Sequence, residues 1–317
     1  MDDIDKTIQK IEASSRRHRC SPGDTRSKGP GAMADGTQSE QAEGDVEPMT
    51  AFEGSIPYEG PVDVVIVTAT ADELERVKYA FGPNWNIVGR AGFVYYLTVW
   101  STGSRTLTLV EAQQNRMGLV QAALTTNRLV SCWKPRLVAM TGVCAGNQAH
   151  VRKGDLVAAS EVFDYGSGKI ADGKLIPDYH SVSTDDSLLC LLTMMAADRQ
   201  LCEETKNSWP VVPGRPDTEL TVHVGAFASG AAVVADERIV KDIATKKRSV
   251  RALDMEAYGV ASASIANRPP LPFLVIKGVQ DFADGFKSDE YRSYCAHVSA
   301  VFLRAFLARY ADSTVTK

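Results

Sequence analysis

The chain has 317 residues, 44% of them hydrophobic and 23% charged, with a formal net charge of -4. This composition is typical of a globular protein, and the small net charge gives no indication of a nucleic-acid or membrane partner. The six cysteines form no CxxC pair, so neither a disulfide framework nor a metal site is predicted. Because no apolar run approaches the roughly 20 residues that span a bilayer, and the polar start does not resemble a signal peptide, we expect a cytoplasmic protein.

The composition changes near residue 60. Residues 16–48 are rich in Gly, Ser, Pro and charged side chains and poor in residues that build a core. Because ordering such a segment costs more conformational entropy than its burial returns, we predict a flexible tail over residues 1–60. A short amphipathic pattern at its start leaves open a helix that binds a partner. One catalytic domain is predicted over residues 61–312, followed by a short C-terminal tail at 313–317.

From residue 62 onwards, apolar runs alternate with segments of helical periodicity. Strands are predicted at residues 62–70, 106–112, 136–143, 155–163, 221–229 and 272–281. Helices are predicted between and after them, at residues 71–81, 117–133, 184–200, 236–244, 255–267 and 289–310. The strand segments are almost continuously apolar, which is typical of a sheet covered on both faces. We therefore predict an α/β domain with a largely parallel central sheet flanked by helices.

Polar and small residues follow most of the predicted strands. In chain order they are Asp72 and Glu73, Asn115, Arg116 and Gly118, Gly142 and Gly146, Ser229 and Gly230, Met255 and Glu256, and Asp281 and Asp284. Taken singly, the acids are explained by helix capping and the glycines by tight turns. Because ligands of α/β sheets bind at the carboxyl ends of the strands, their combination predicts a binding site there.

Five blocks at these positions carry a family resemblance. They are VVIVTATADEL, NRMGLVQAA, TGVCAG followed by KGDLV, DMEAYG, and GVQDFAD. In this order the chain from about 62 to 310 resembles the nucleoside phosphorylase superfamily, in particular the branch that includes methylthioadenosine/S-adenosylhomocysteine nucleosidases. The resemblance implies a single domain with a mixed, largely parallel sheet, and a homodimer or larger homo-oligomer.

The resemblance also implies roles for three acids. Asp281 matches the general acid that protonates or hydrogen-bonds N7 of the departing purine, and burial at the end of an apolar strand is expected to keep it protonated. Glu256 matches the carboxylate that binds the ribose hydroxyls and supports an oxocarbenium-like sugar. Glu73 aligns with the acid that activates the attacking water in the nucleosidase branch.

Further substrate contacts are expected around these acids. Met255 is expected to pack beside the ribose, and Val234 to offer backbone contacts to adenine. Ser229 and Gly146, at two other strand ends, are also expected to contact the substrate.

One position departs from the family pattern. The methylthioadenosine branch usually carries an aromatic residue where Val233 stands, and losing a stacking face costs about 1–3 kcal/mol per base. Phe163 is a candidate to supply the missing aromatic contact. Arg116 and Arg76 lie close enough in sequence to the site to form an anion pocket, which keeps a phosphate nucleophile or a phosphorylated substrate open.

These residues predict a purine nucleosidase, with adenine as the expected base, that needs no cofactor and no metal. Glu73 is expected to repel phosphate, which favours water over phosphate as the nucleophile. Three alternatives remain: a purine nucleoside phosphorylase, a non-catalytic nucleotide sensor, and a variant that cleaves adenine nucleotides such as ATP in defence signalling. The expected partner is a small-molecule purine nucleoside or nucleotide.

Overall fold

A computed structural model of the protein describes residues 58–284 and 289–314. Nearly all of the predicted N-terminal tail, residues 1–57, lies outside the described residues, as do the last three residues of the chain. The final helix runs to Thr314, so it enters the predicted C-terminal tail.

The described chain contains twelve strands and seven helices. The strands are β1 (Val64–Thr68), β2 (Asn86–Arg90), β3 (Phe93–Ser101), β4 (Thr106–Gln113), β5 (Leu137–Gly146), β6 (Leu156–Asp164), β7 (Gly168–Ala171), β8 (Lys174–Pro177), β9 (Ser181–Ser183), β10 (Val222–Ser229), β11 (Val250–Asp254) and β12 (Phe273–Asp281). The helices are α1 (Ala71–Phe81), α2 (Leu119–Trp133), α3 (Asp186–Ala196), α4 (Arg199–Asn207), α5 (Glu237–Lys246), α6 (Ala257–Ala266) and α7 (Arg292–Thr314).

Ten of these strands form one mixed sheet. Its order is β11-β10-β6-β12-β5-β1-β4-β3-β2, with β9 paired to β6. The central strands β4, β1, β5 and β12 run parallel to one another, whereas β2 and β3 join β4 as an antiparallel extension. A short antiparallel pairing of Ala252 with Gly146 joins β11 back to β5. The sheet confirms the predicted mixed α/β architecture.

Helices cover both faces of the sheet. Along β1, Val64 and Ile66 pack in the core that contains residues of α1, α3, α4 and α7. Val65 and Val67 point into the opposite core, which contains residues of α2 and α6. Because successive side chains of a strand point to opposite faces, a strand buried on both faces must be apolar throughout. This burial explains the continuous apolar runs.

Most predicted elements are found close to their expected bounds, with one helix divided. The segment 184–200 forms two helices, α3 and α4, instead of one. Asp198 interrupts it, because its side chain accepts a hydrogen bond from Leu201 N and caps the start of α4. Among the described residues, no helix has both the length and the apolar character needed to cross a bilayer.

Candidate active site

A cavity of about 280 Å³ opens at the carboxyl ends of the central strands. Within the described part of the chain, the charged residues that line it are Glu73, Asp254, Glu256, Asp281, Asp289 and Arg292. They come from α1, from β11 and the turn that follows it, from the end of β12, and from the start of α7 and the residues just before it. The topology thus brings together acids that are separated by as many as 216 residues in the sequence.

Glu73 is held by three backbone donors. Its Oε2 accepts hydrogen bonds from Ala69 N at 2.8 Å and Thr70 N at 3.0 Å, and its Oε1 accepts one from Val143 N at 2.9 Å. Thr70 and Glu73 form a capping box at the start of α1. Burial raises the pKa of Glu73, although the charge of Lys277 and the backbone hydrogen bonds oppose that rise. The carboxylate is therefore a fixed group with an increased proton affinity.

Glu256 occupies the N-cap position of α6 and is bound on both oxygens. Gly118 N donates to Oε1 at 3.1 Å, and Lys277 Nζ donates to Oε2 at 3.1 Å. The buried Lys277 also contacts Asp254 Oδ2 at 2.6 Å. Burial on its own would lower the pKa of Lys277, but Asp254, Glu256 and Glu73 outweigh that effect and raise it. Lys277 is therefore a cation that offsets part of the negative charge of the cavity wall.

Asp281 ends β12 with its side chain buried. Its Oδ1 accepts a hydrogen bond from Ala283 N at 2.8 Å, and Gln280 Nε2 donates to Oδ2 at 3.1 Å. Ala283 adopts a positive φ of 55°, which turns the chain back towards the carboxyl group. The end of the strand thus fixes one carboxyl group inside the cavity.

Apolar and aromatic side chains complete the lining. Met255 and Val234 line the cavity, as does the half-exposed Val233. Tyr165 also lines it, and its hydroxyl donates to Ala232 O at 3.3 Å. An aromatic face is therefore present on the cavity although position 233 carries valine.

Five residues of the predicted site thus line one cavity: Glu73, Val234, Met255, Glu256 and Asp281. Four others do not. Ser229 is fully buried, donates to Asp254 Oδ1 at 2.6 Å and accepts from Tyr258 N at 3.0 Å, so it positions Asp254. Phe163 is buried in the core and packs against Tyr179 with 4.8 Å between ring centroids.

The remaining two are Gly146 and Arg116. Gly146 ends β5 in close contact with Val151 and Val279, where an added Cβ would lie 2.5 and 2.6 Å from their methyl groups. Arg116 is exposed to solvent and does not line the cavity. Arg76 is also away from the lining, since it pairs with Asp72 at 3.3 Å and lies over the ring of Trp209.

Five charged or aromatic residues of the site were missed from the sequence: Asp254, Lys277, Tyr165, Asp289 and Arg292. The signal for Lys277 was present, because a lysine inside the apolar run FLVIKGV requires a buried partner. Asp254 belongs to the DMEAYG block but was not singled out. Within residues 58–284 and 289–314, no group of three His, Cys, Asp or Glu side chains is arranged to hold a metal ion.

Comparison with known proteins agrees with this architecture. Protein y4jS of Sinorhizobium fredii is 32% identical over 246 residues, which cover 75% of this chain and 59% of that protein. ATP nucleosidase Cap17 of Escherichia coli is 27% identical over 260 residues, which cover 77% of this chain and 50% of Cap17. The chain therefore spans little more than half the length of these relatives.

A solved structure shares the fold. The 5'-methylthioadenosine/S-adenosyl homocysteine nucleosidase of Helicobacter pylori superposes with a TM-score of 0.64 at 20% identity, covering 79% of this chain and all of that protein. The family model of the phosphorylase superfamily matches residues 63–311. This match confirms the resemblance drawn from the sequence blocks, and the chain belongs to the phosphorylase superfamily.

Proposed function

We propose that this chain is a purine nucleosidase that hydrolyses the N-glycosidic bond of a nucleoside or nucleotide. The observation that carries the proposal is the position of Glu73, Glu256 and Asp281 on one cavity, each held by hydrogen bonds from its own part of the fold. An acid, a carboxylate for the sugar and a base for water are the groups that this reaction needs.

The reaction joins a water oxygen to C1′ of the sugar and breaks the bond from C1′ to N9 of the purine. The electron pair of that bond moves to the purine, so negative charge develops on the base and positive charge on the sugar. One water proton must be removed, and one proton must be delivered to the base. The products are the free purine and a sugar with a hydroxyl at C1′.

Asp281 is proposed to be the general acid. Its contacts with Ala283 N and Gln280 Nε2 fix the orientation of the carboxyl group, which is a condition for efficient proton transfer. Delivery of its proton to N7 neutralises the charge that develops on the leaving purine.

Glu73 and Glu256 are proposed to act on the sugar side. The raised pKa of Glu73 makes its carboxylate a stronger base towards the attacking water. Glu256 is proposed to accept hydrogen bonds from the ribose hydroxyls, and its charge stabilises an oxocarbenium-like sugar. Gly118 N and Lys277 Nζ hold it in position.

The charge of the cavity favours water over phosphate as the nucleophile. Among the described residues, the lining carries five carboxyl groups and one arginine, and an approaching phosphate would be repelled near Glu73. Arg76 and Arg116, the arginines expected to form an anion pocket, do not line the cavity. The phosphorylase alternative therefore lacks the arginine-lined phosphate pocket that would have supported it.

Adenine is proposed as the base. Tyr165 supplies an aromatic face for stacking, and Val234 lies on the cavity where its backbone can meet the base. The related Cap17 is an ATP nucleosidase, which supports an adenine-containing substrate. A role in defence signalling is proposed on the same likeness.

We further propose a homo-oligomer that works in the cytoplasm. Val120 and Leu124 are exposed on α2, next to Met117 at the cavity, and form an apolar strip suited to a second copy. The described cysteines are free thiols, the state that a reducing cytosol maintains. Light scattering of the purified protein and fractionation of its host cells test the two proposals.

The activity is tested by incubating the purified protein with adenosine, methylthioadenosine, S-adenosylhomocysteine, AMP and ATP, with and without inorganic phosphate. We expect adenine and an unphosphorylated sugar C1 hydroxyl, at a rate independent of phosphate. A sugar 1-phosphate formed only with phosphate would replace the proposal with a phosphorylase. Binding without any turnover would replace it with a nucleotide sensor.

A further inference from the structure

Arg292 is the only cationic side chain among the described residues that line the cavity. It is the first residue of α7, and 31% of its side chain is exposed, so the guanidinium lies at the mouth of the cavity. The other charged lining residues are acids. A cation at the mouth of an acidic cavity has no role in the proposed cleavage chemistry.

Among the residues that the structure describes, the charge of Arg292 is only weakly engaged. Its Nη1 lies 3.7 Å from Asp289 Oδ1, beyond hydrogen-bond distance, and the Asp289 side chain is 83% exposed. Such a solvated pair contributes little. Lys277 differs, because its ammonium lies within 3.1 Å of two buried carboxylates. The Arg292 guanidinium therefore keeps donors for an anionic ligand.

The start of α7 is fixed relative to the cavity. Ser293 Oγ donates to Asp72 Oδ2 at 3.2 Å, and Asp72 also pairs with Arg76 at 3.3 Å. Asp72 precedes Glu73 in the first turn of α1, so this contact ties Arg292 to the element that carries the proposed base. The backbone that carries Arg292 is thus fixed beside the cavity.

We propose that Arg292 binds a phosphate group of the substrate, so that this site takes a purine nucleotide in preference to a nucleoside. The inference rests on the proposed function. A guanidinium presents paired donors that match phosphate oxygens. Glu73 and Glu256, which are proposed to act at the sugar, repel phosphate. The mouth carries Arg292 beside Asp289, whose exposed charge is screened by water. The phosphate must therefore be attached at a part of the substrate remote from C1′, which in a nucleotide is the 5′ position.

The test compares kcat/KM for AMP and ATP with that for adenosine, in the unaltered protein and in Arg292→Ala and Arg292→Lys. We expect the nucleotide-to-adenosine ratio to fall at least tenfold in Arg292→Ala and by less in Arg292→Lys, which keeps the charge but loses the paired donors. Added salt should raise KM for AMP more than KM for adenosine.

Arg304→Ala is the matched control. Arg304 lies on the same helix, about 18 Å further along it, and donates to Ala80 O. Its substitution should leave the ratio unchanged. A nucleotide-to-adenosine ratio of kcat/KM that changes less than twofold in Arg292→Ala would overturn the inference. It would also be overturned if the Arg292 substitutions changed how the rate depends on added inorganic phosphate but left the preference for a 5′ phosphate unchanged.

Calorimetric titration separates this inference from the proposed function. If no substrate is cleaved, the proposed nucleosidase activity is wrong. The phosphate site would still be supported if AMP bound at least tenfold more tightly than adenosine to the unaltered protein but not to Arg292→Ala. Equal affinities for AMP and adenosine would overturn it. Melting temperatures of both Arg292 variants show whether any loss reflects unfolding.

Discussion

Gly142 leaves the space that the Glu73 carboxylate occupies. A Cβ added at Gly142 would lie 2.2 Å from Glu73 Oε1, and the residue adopts a φ of +143°. The next residue, Val143, donates its backbone N–H to the same oxygen. Because position 142 is a glycine, the carboxylate of Glu73 can approach β5 closely enough to accept the hydrogen bond from Val143 N.

Gly142→Ala should reduce both hydrolysis and stability. The methyl group would displace the carboxylate from its three backbone donors, and buried donors without partners cost about 1–3 kcal/mol. Activity assays and urea unfolding measure the two effects. Gly103→Ala is the control, since Gly103 also has a positive φ but no atom within 4 Å of the added Cβ. Equal activity losses in the two variants would contradict the displacement of Glu73.

Asp281→Asn should lower kcat for purine substrates by about 10²–10⁴-fold, the range expected when a general acid is lost. An amide of similar shape should fit the same position, so the melting temperature should change little. Asp284→Asn is the control, because Asp284 follows three residues later and does not line the cavity. Full activity of Asp281→Asn would show that another group protonates the base.

The buried parallel part of the fold was predictable from sequence because its strands are almost continuously apolar. The missed strands have other patterns. β3 has exposed residues at both ends and buried ones between them, next to the edge strand β2, and β11 is only five residues long. The turn between β2 and β3 contains Ala91 with a φ of 50°, followed by Gly92. Since alanine rarely adopts positive φ, its presence weakened the hairpin signal.

The acids at the strand ends were predictable as site residues. Residues whose place in the cavity depends on the direction of the side chain were not. Phe163 and Tyr165 are two residues apart, yet Phe163 is buried in the core and Tyr165 lines the cavity. Ser229 was expected to meet the substrate, but its hydroxyl bonds Asp254. Long-range pairing also escaped detection, because nothing local links Lys277 to Asp254 or Glu256.

Lys277→Met should destabilise the fold by about 3–5 kcal/mol, the cost of leaving a buried carboxylate without its partner. Asp254 and Glu256 would both lose the ammonium. The free energy of unfolding in urea measures the effect. Lys246→Met is the control, since the Lys246–Asp242 pair lies at the surface and its loss should change stability little.

The same substitution should shift the pH dependence of hydrolysis. Burial raises the pKa of Glu73, and the charge of Lys277 partly counters that rise. Removing the lysine charge should raise the pKa of Glu73 further. Because a base must be ionised to accept a proton, the acid limb of kcat against pH should move to higher pH. An unmoved acid limb would argue that a group other than Glu73 activates water.

Tyr165→Ala should raise KM for purine substrates by about tenfold or more, since base–aromatic stacking contributes about 1–3 kcal/mol. Tyr165→Phe keeps the ring and loses only the hydrogen bond to Ala232 O, so KM should stay close to that of the unaltered protein. Phe163→Leu, in the core behind the cavity, should lower the melting temperature instead. If the substitution of Phe163 raised KM more than that of Tyr165, Phe163 and not Tyr165 would be the residue that stacks on the base.

His297 should make stability fall in mild acid. Burial lowers its pKa to about 4, the charge of Arg76 adds to the lowering, and Nε2 lies 2.9 Å from Ser208 Oγ. The unfolded chain binds a proton near its ordinary pKa of about 6.5. The folded state therefore keeps its full stability above that pH and loses about 1.4 kcal/mol per unit as pH falls towards 4. The total loss is roughly 3 kcal/mol.

The His297→Gln variant, which does not titrate at this position, tests this account. Its free energy of unfolding in urea should decline less steeply between pH 7 and 4, even if the variant is less stable at neutral pH. Equal slopes in the two proteins would mean that other groups cause the acid sensitivity.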